Sequence, residues 1–123
     1  MTRTISPIDE DLLDDILADT TGVVTATSTG ETAAALVTAL VRGAATDALT
    51  LTIAAGAETA TDLTTLDGFT TVAVGAGAVT DISGTEAQVS AVVDAGAAIT
   101  TATNYTSTLS NSDIDENELD DIL

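Results

Sequence analysis

Val23-Val24-Thr25-Ala26-Thr27-Ser28-Thr29-Gly30-Glu31-Thr32-Ala33-Ala34-Ala35-Leu36-Val37-Thr38-Ala39-Leu40 reads as a strand running into a helix. Val23–Thr27 is β-branched and alternating. Ser28-x-x-Glu31 has the form of a capping box, in which each side chain satisfies the other residue's free amide. Behind it Ala33, Leu36, Val37, Leu40, Val41 and Ala44 recur at helical spacing, with Gly43 near the stop. Leu49–Ala54 then returns as a strand.

The pattern is met a second time. Phe69–Val74 reads as a strand and Ser83-x-x-Glu86 as another capping box. Val89, Val92 and Val93 form a shorter stripe broken at Gly96, and Asn104–Leu109 closes as a strand. The two boxes stand 55 residues apart, which hints at a pseudo-repeat. Between them Ala54–Asp67 reads as a loop with a short helical turn, and Val74–Val79 as a bulged strand or a tight bend. The fold class expected is a small α+β domain of β-α-β/β-α-β order, compatible with a ferredoxin-like sheet carrying two helices on one face.

Outside this domain, assigned to residues 20–111, lie two acidic arms, 1–19 and 112–123. Ser6-Pro7-Ile8-Asp9-Glu10-Asp11-Leu12-Leu13-Asp14-Asp15-Ile16-Leu17 is matched without a gap by Ser112-Asp113-Ile114-Asp115-Glu116-Asn117-Glu118-Leu119-Asp120-Asp121-Ile122-Leu123, with nine of twelve pairs identical. Each copy has a serine placed to cap and acids at the positive end of the helix dipole. At 100° per residue each is an amphipathic helix. The shared apolar positions are Ile8/Ile114, Leu13/Leu119, Ile16/Ile122 and Leu17/Leu123, and these eight residues are the candidate partner-binding set. Docking on a partner and folding back on the chain's own core are both open to such a stripe.

Charge narrows the function. The 123 residues hold twenty acids against Arg3 and Arg42, with no lysine or histidine and a net charge of −18. Six acids lie in each arm and eight in the middle. In molar salt the Debye length shrinks to about 3 Å, so such a surface stays soluble without driving the fold apart. The composition is a halophile's. It argues against direct binding to nucleic acid or to an anionic membrane, since the chain offers neither a counter-charge. With no cysteine there is no disulfide or thiolate chemistry, and neither a signal peptide nor a membrane span is read.

Little is left for catalysis without His, Cys or Lys, so the expectation is a non-enzymatic protein without cofactor or metal. Asp113-x-Asp115-x-Asn117 begins like a calcium loop, but Glu118 replaces the required glycine. No glycine pattern cradles a phosphate. The threonines suit uncharged strand surfaces.

The stretch Gly22–Leu40, followed by Ala48-Leu49-Thr50-Leu51-Thr52-Ile53, resembles structural proteins of tailed viruses, in which a Thr/Ala-rich strand passes through a polar turn into a helix of this texture and then a further strand. With the halophilic composition the resemblance implies a head, neck or tail component of a haloarchaeal tailed virus, made in the host cytoplasm and located in the virion. Its expected partners are copies of itself, as a homo-oligomer, and other virion proteins. A cellular haloarchaeal adaptor binding a partner protein through its two acidic-apolar helices is the alternative, and a DNA mimic a remote one.

Overall fold

The computed structural model describes residues 10–110. Helices and strands alternate through one small mixed domain of the α+β/α/β kind. The order is α1 Glu10–Asp19, β1 Thr25–Glu31, α2 Ala33–Ala39, β2 Ala48–Ile53, β3 Gly56–Thr59, α3 Ala60–Asp67, β4 Val74–Ala76, β5 Val79–Gly84, α4 Glu86–Asp94, β6 Ile99–Thr101 and β7 Thr106–Leu109, with a 3-10 turn over Gly96–Ala98. Two sheets form, β1-β2-β4-β6 and β3-β5-β7, and every pairing in both is parallel.

The ferredoxin-like arrangement is therefore not the one adopted. The chain instead winds as a three-sided coil. One strand of the first sheet turns a corner into a strand of the second, a helix follows, and the next coil begins alongside the first. Thr27 pairs with Thr50, Thr52 with Gly75 and Gly75 with Thr100, steps of 23, 23 and 25 residues. In the second sheet Asp81 pairs with Thr106, again a step of 25. Parallel neighbours need a long crossover, and the helix provides it in each coil. Consecutive helices α1, α2, α3 and α4 each contact the next and form the third side.

The helix starts also differ from the expectation. Ser28 and Glu31 lie in β1, with Ser28 buried, while Thr32 caps α2 by accepting the Ala35 N–H at 3.2 Å. In the second box the partners are Thr85 and Gln88, each holding the other's backbone N–H, rather than Ser83 and Glu86. Thr59 caps α3, accepting from Asp62 N and donating to Asp62 Oδ2. Three threonine caps thus recur, at 32, 59 and 85, where the serines 55 residues apart suggested two. Serine lost to threonine because the strands run further than their alternation showed, through a bulge at Gly30, whose φ of 87° only glycine adopts without strain.

Ala54–Asp67 proves to be β3 and α3 rather than a loop, and Gly77-Ala78 is a tight turn between two strands of different sheets. Only Val74 of the expected strand Phe69–Val74 is in one. The residues before it are held by Thr70, whose hydroxyl accepts the Leu49 N–H at 2.9 Å and donates to the Leu49 carbonyl at 2.7 Å. That side chain stands in for a neighbouring strand at the start of β2.

Inside the coils, register stacks like on like. Ser28, Leu51, Val74 and Ile99 form one inward column, all buried. Leu36, Leu63 and Val89, each four residues beyond its cap, close the core from the helix side without exposure. Small residues fill the gaps, Ala33, Ala60 and Ala76 among them. Ser28 Oγ is the buried side-chain polar atom without a partner among the described residues. Each coil on its own has one apolar interior face too small to hold together, so stability comes from stacking coil on coil.

Candidate functional site

The arm residues come first. α1 packs against α2, and Leu13 and Leu17 are 1% and 8% exposed within the common core. Ile16 is partly buried against it. Asp14 fixes the seat: Oδ1 accepts the Arg42 N–H at 3.2 Å, and Oδ2 lies 3.2 Å from Arg42 Nε. Of these three candidate partner-binding residues, Leu13 and Leu17 are turned into the chain's own first coil, while Ile16 is partly exposed. The apolar residue that α1 leaves out is Leu12, 44% exposed. It lines an open hollow of about 420 Å3 with Asp15, Ile16, Asp19 and Thr20. Ile8, Ile114, Leu119, Ile122 and Leu123 lie outside the described residues, as does the calcium-like Asp113-x-Asp115-x-Asn117.

A second surface was not foreseen from the sequence. The outer face of the first sheet presents Thr25, Thr27, Thr50, Thr52, Gly75 and Thr100 on strands held in register. None carries a charge, and adjacent strands stand about 4.8 Å apart. Gly75 fits its place closely, since a Cβ there would come within 3.3 Å of the Leu51 carbonyl oxygen. The second sheet differs. Its Asp81 Oδ1 accepts hydroxyl hydrogens from Thr106 and Thr108 of the neighbouring strand at 2.7 and 2.9 Å.

Glu58 of β3 is the most unusual acid among the described residues. It is buried, and its carboxylate accepts the backbone N–H of Ala33, the first residue of α2 in the preceding coil. Burial raises its pKa above the ordinary 4.5, the Ala33 N–H opposes this, and nearby Asp62 adds to the rise. The folded chain therefore holds this proton more tightly than the unfolded chain does. Its contribution to stability is full below about pH 4.5 and is lost as pH rises through the higher folded value. Glu58→Gln keeps an acceptor for Ala33 and removes the charge. Its stability advantage over the parent is expected to widen between about pH 4 and pH 7, by no more than ~1.4 kcal/mol per pH unit. Thermal melts at constant molar salt check this, and parallel curves for the two proteins would refute it.

Glu58 is thus committed to joining one coil to the next. Among the described residues no group of three or more His, Cys, Asp or Glu could hold a metal ion, and no helix is long and apolar enough to cross a membrane. No family model, no curated protein and no solved structure matches the chain.

Proposed function

We propose that the chain is a non-enzymatic structural protein that works in molar salt by packing folded copies together, as a virion component of a haloarchaeal tailed virus. The observation carrying this reading is the uncharged threonine face of the first sheet. On a chain of net charge −18, a face whose outward Thr25, Thr27, Thr50, Thr52, Gly75 and Thr100 are all uncharged is where a second copy approaches at least electrostatic cost. Molar salt lowers that cost further by screening the acids around it. Hydroxyls fixed in register can hydrogen-bond across such a contact or through bridging water. The viral assignment rests on the resemblance of residues 22–40 together with the halophilic composition.

Seating Leu13 and Leu17 against the first coil moves the favoured contact from the N-terminal arm to this face. The same fact weighs against the adaptor reading, which needs those residues free. In about 1 M KCl the intact protein is expected to sediment as a defined oligomer. Thr50→Asp with Thr52→Asp, two exposed changes that leave the core intact, is expected to return it to a monomer with an unchanged circular dichroism spectrum. A parent protein that is already a monomer in that salt overturns the assembly reading.

A further inference from the structure

We infer that residues 112–123 cover the last coil of the same chain, as α1 covers the first, so that the duplicated sequence is a pair of end caps. Three observations meet here. The first is what α1 does: of the shared stripe positions the structure describes, Leu13 and Leu17 are buried against the opening coil and Ile16 is partly buried there, and α1 contacts α2 as the outermost described member of the helix layer. The second is chain order. β1, β3 and β5 each lead through a threonine cap directly into a helix of that layer. β7 pairs with β5 so that Leu109 stands opposite Gly84, and the Ser110 N–H donates to the Gly84 carbonyl at 2.9 Å. Ser110 lies 25 residues after Thr85, the cap of α4, the same step that separates Gly84 from Leu109. The chain thus leaves β7 at the point where the three earlier coils enter a helix, and the repeat begins two residues later.

The third observation is the surface waiting there. α4 has α3 on one flank and no described helix on the other. Val93 of α4 is 36% exposed, Tyr105 and Leu109 are only partly buried, and β6 and β7 are the outer strands of their sheets. An end with partly exposed Val93, Tyr105 and Leu109 and two open strand edges is a surface that a stacked-coil protein gains by covering. The stripe Ile114, Leu119, Ile122 and Leu123 has the positions of Ile8, Leu13, Ile16 and Leu17, and its acids would face water. This inference does not depend on the assembly reading, because the face proposed for assembly lies on the side of the coils and the caps lie at their ends.

Hydrogen exchange in molar KCl on the full chain, on a chain ending at Asn111, and on Leu119→Asp with Ile122→Asp tests it. Both altered chains are expected to exchange at least tenfold faster in α4 and β7, with α1 and α2 unchanged. Diluting the full chain a hundredfold should leave its protection in place. A fourth chain, with residues 112–123 replaced by the sequence of residues 6–17, should be as protected as the parent, and this holds the test together if the shortened chain does not fold. Unchanged exchange in α4 and β7 on truncation overturns the inference, as does protection that falls on dilution, which would place the segment on a neighbouring copy. Failure of the fourth chain to protect α4 would also overturn it.

Discussion

Alanine in place of Leu63 is expected to lower the free energy of unfolding by about 3–5 kcal/mol, the upper part of the range for a buried leucine. Leu63 is fully buried on α3, the middle helix of the layer. α3 contacts α2 and α4 on its flanks and β3, β4, β5 and β6 beneath. The core it belongs to is filled in part by Ala33, Ala60 and Ala76, side chains too short to move into the space a leucine leaves. The cavity would therefore persist, which is the condition for a large cost. Urea titration at fixed molar salt measures it. A loss below about 1 kcal/mol would mean that the coils can close over the gap, contrary to the packing described.

Asp47→Ala is expected to cost about 3 kcal/mol, by a different route. Asp47 is buried, and its two carboxylate oxygens accept the Val24 N–H at 3.0 Å and the Ala44 N–H at 3.1 Å. Its own carbonyl accepts the Thr71 N–H at 2.7 Å and the Thr71 hydroxyl at 2.9 Å. One residue thus ties the start of β1, the loop after α2 and the approach to β4. Alanine keeps the carbonyl bonds but leaves the Val24 amide, at a buried residue, without its acceptor, and such groups are costly to strand. Asp47→Asn, which retains one oxygen acceptor, should fall between the two. Equal melting temperatures for Asp47→Asn and Asp47→Ala would show that the hydrogen bonds contribute little.

Much of the local structure was legible in residue order, and the global winding was not. The strand at Leu49–Ala54 was visible because Leu49, Leu51 and Ile53 alternate with threonine, and the helix after residue 32 because Ala33, Leu36 and Leu40 recur at its period. α3 escaped because Thr61, Asp62, Thr64 and Thr65 dilute its stripe to Ala60, Leu63 and Leu66. Its signal was the capping pair Thr59-x-x-Asp62, which belongs with Thr32 and Thr85 at steps of 27 and 26 residues. Those caps, aligned, would have shown the coil. β4 and β6 have three residues each, too few to display alternation.

The end repeat was plain in the sequence, but where its stripe points depended on which surface lay near. Leu13 and Leu17 are apolar in either case, and only the neighbouring α2 turns them inward. The threonine face depended wholly on register. Thr50 and Thr52 sit side by side with Thr27 and Gly75 through pairings 23 residues apart, and no single stretch of chain contains that pattern.

The constant step between paired residues also bears on how the chain finds its shape. A strand's partner is never much more than one coil away along the backbone, so the loop that must close to add a coil stays the same size as the structure grows. Folding can therefore start in whichever coil first holds together and spread outward, as in other linear arrays. Parallel sheets ordinarily fold slowly because their contacts are distant in sequence, and the short step relieves this chain of much of that delay. The middle coil around α3, with neighbours on both sides, is the natural place for the process to begin, and the two ends would be the last to settle.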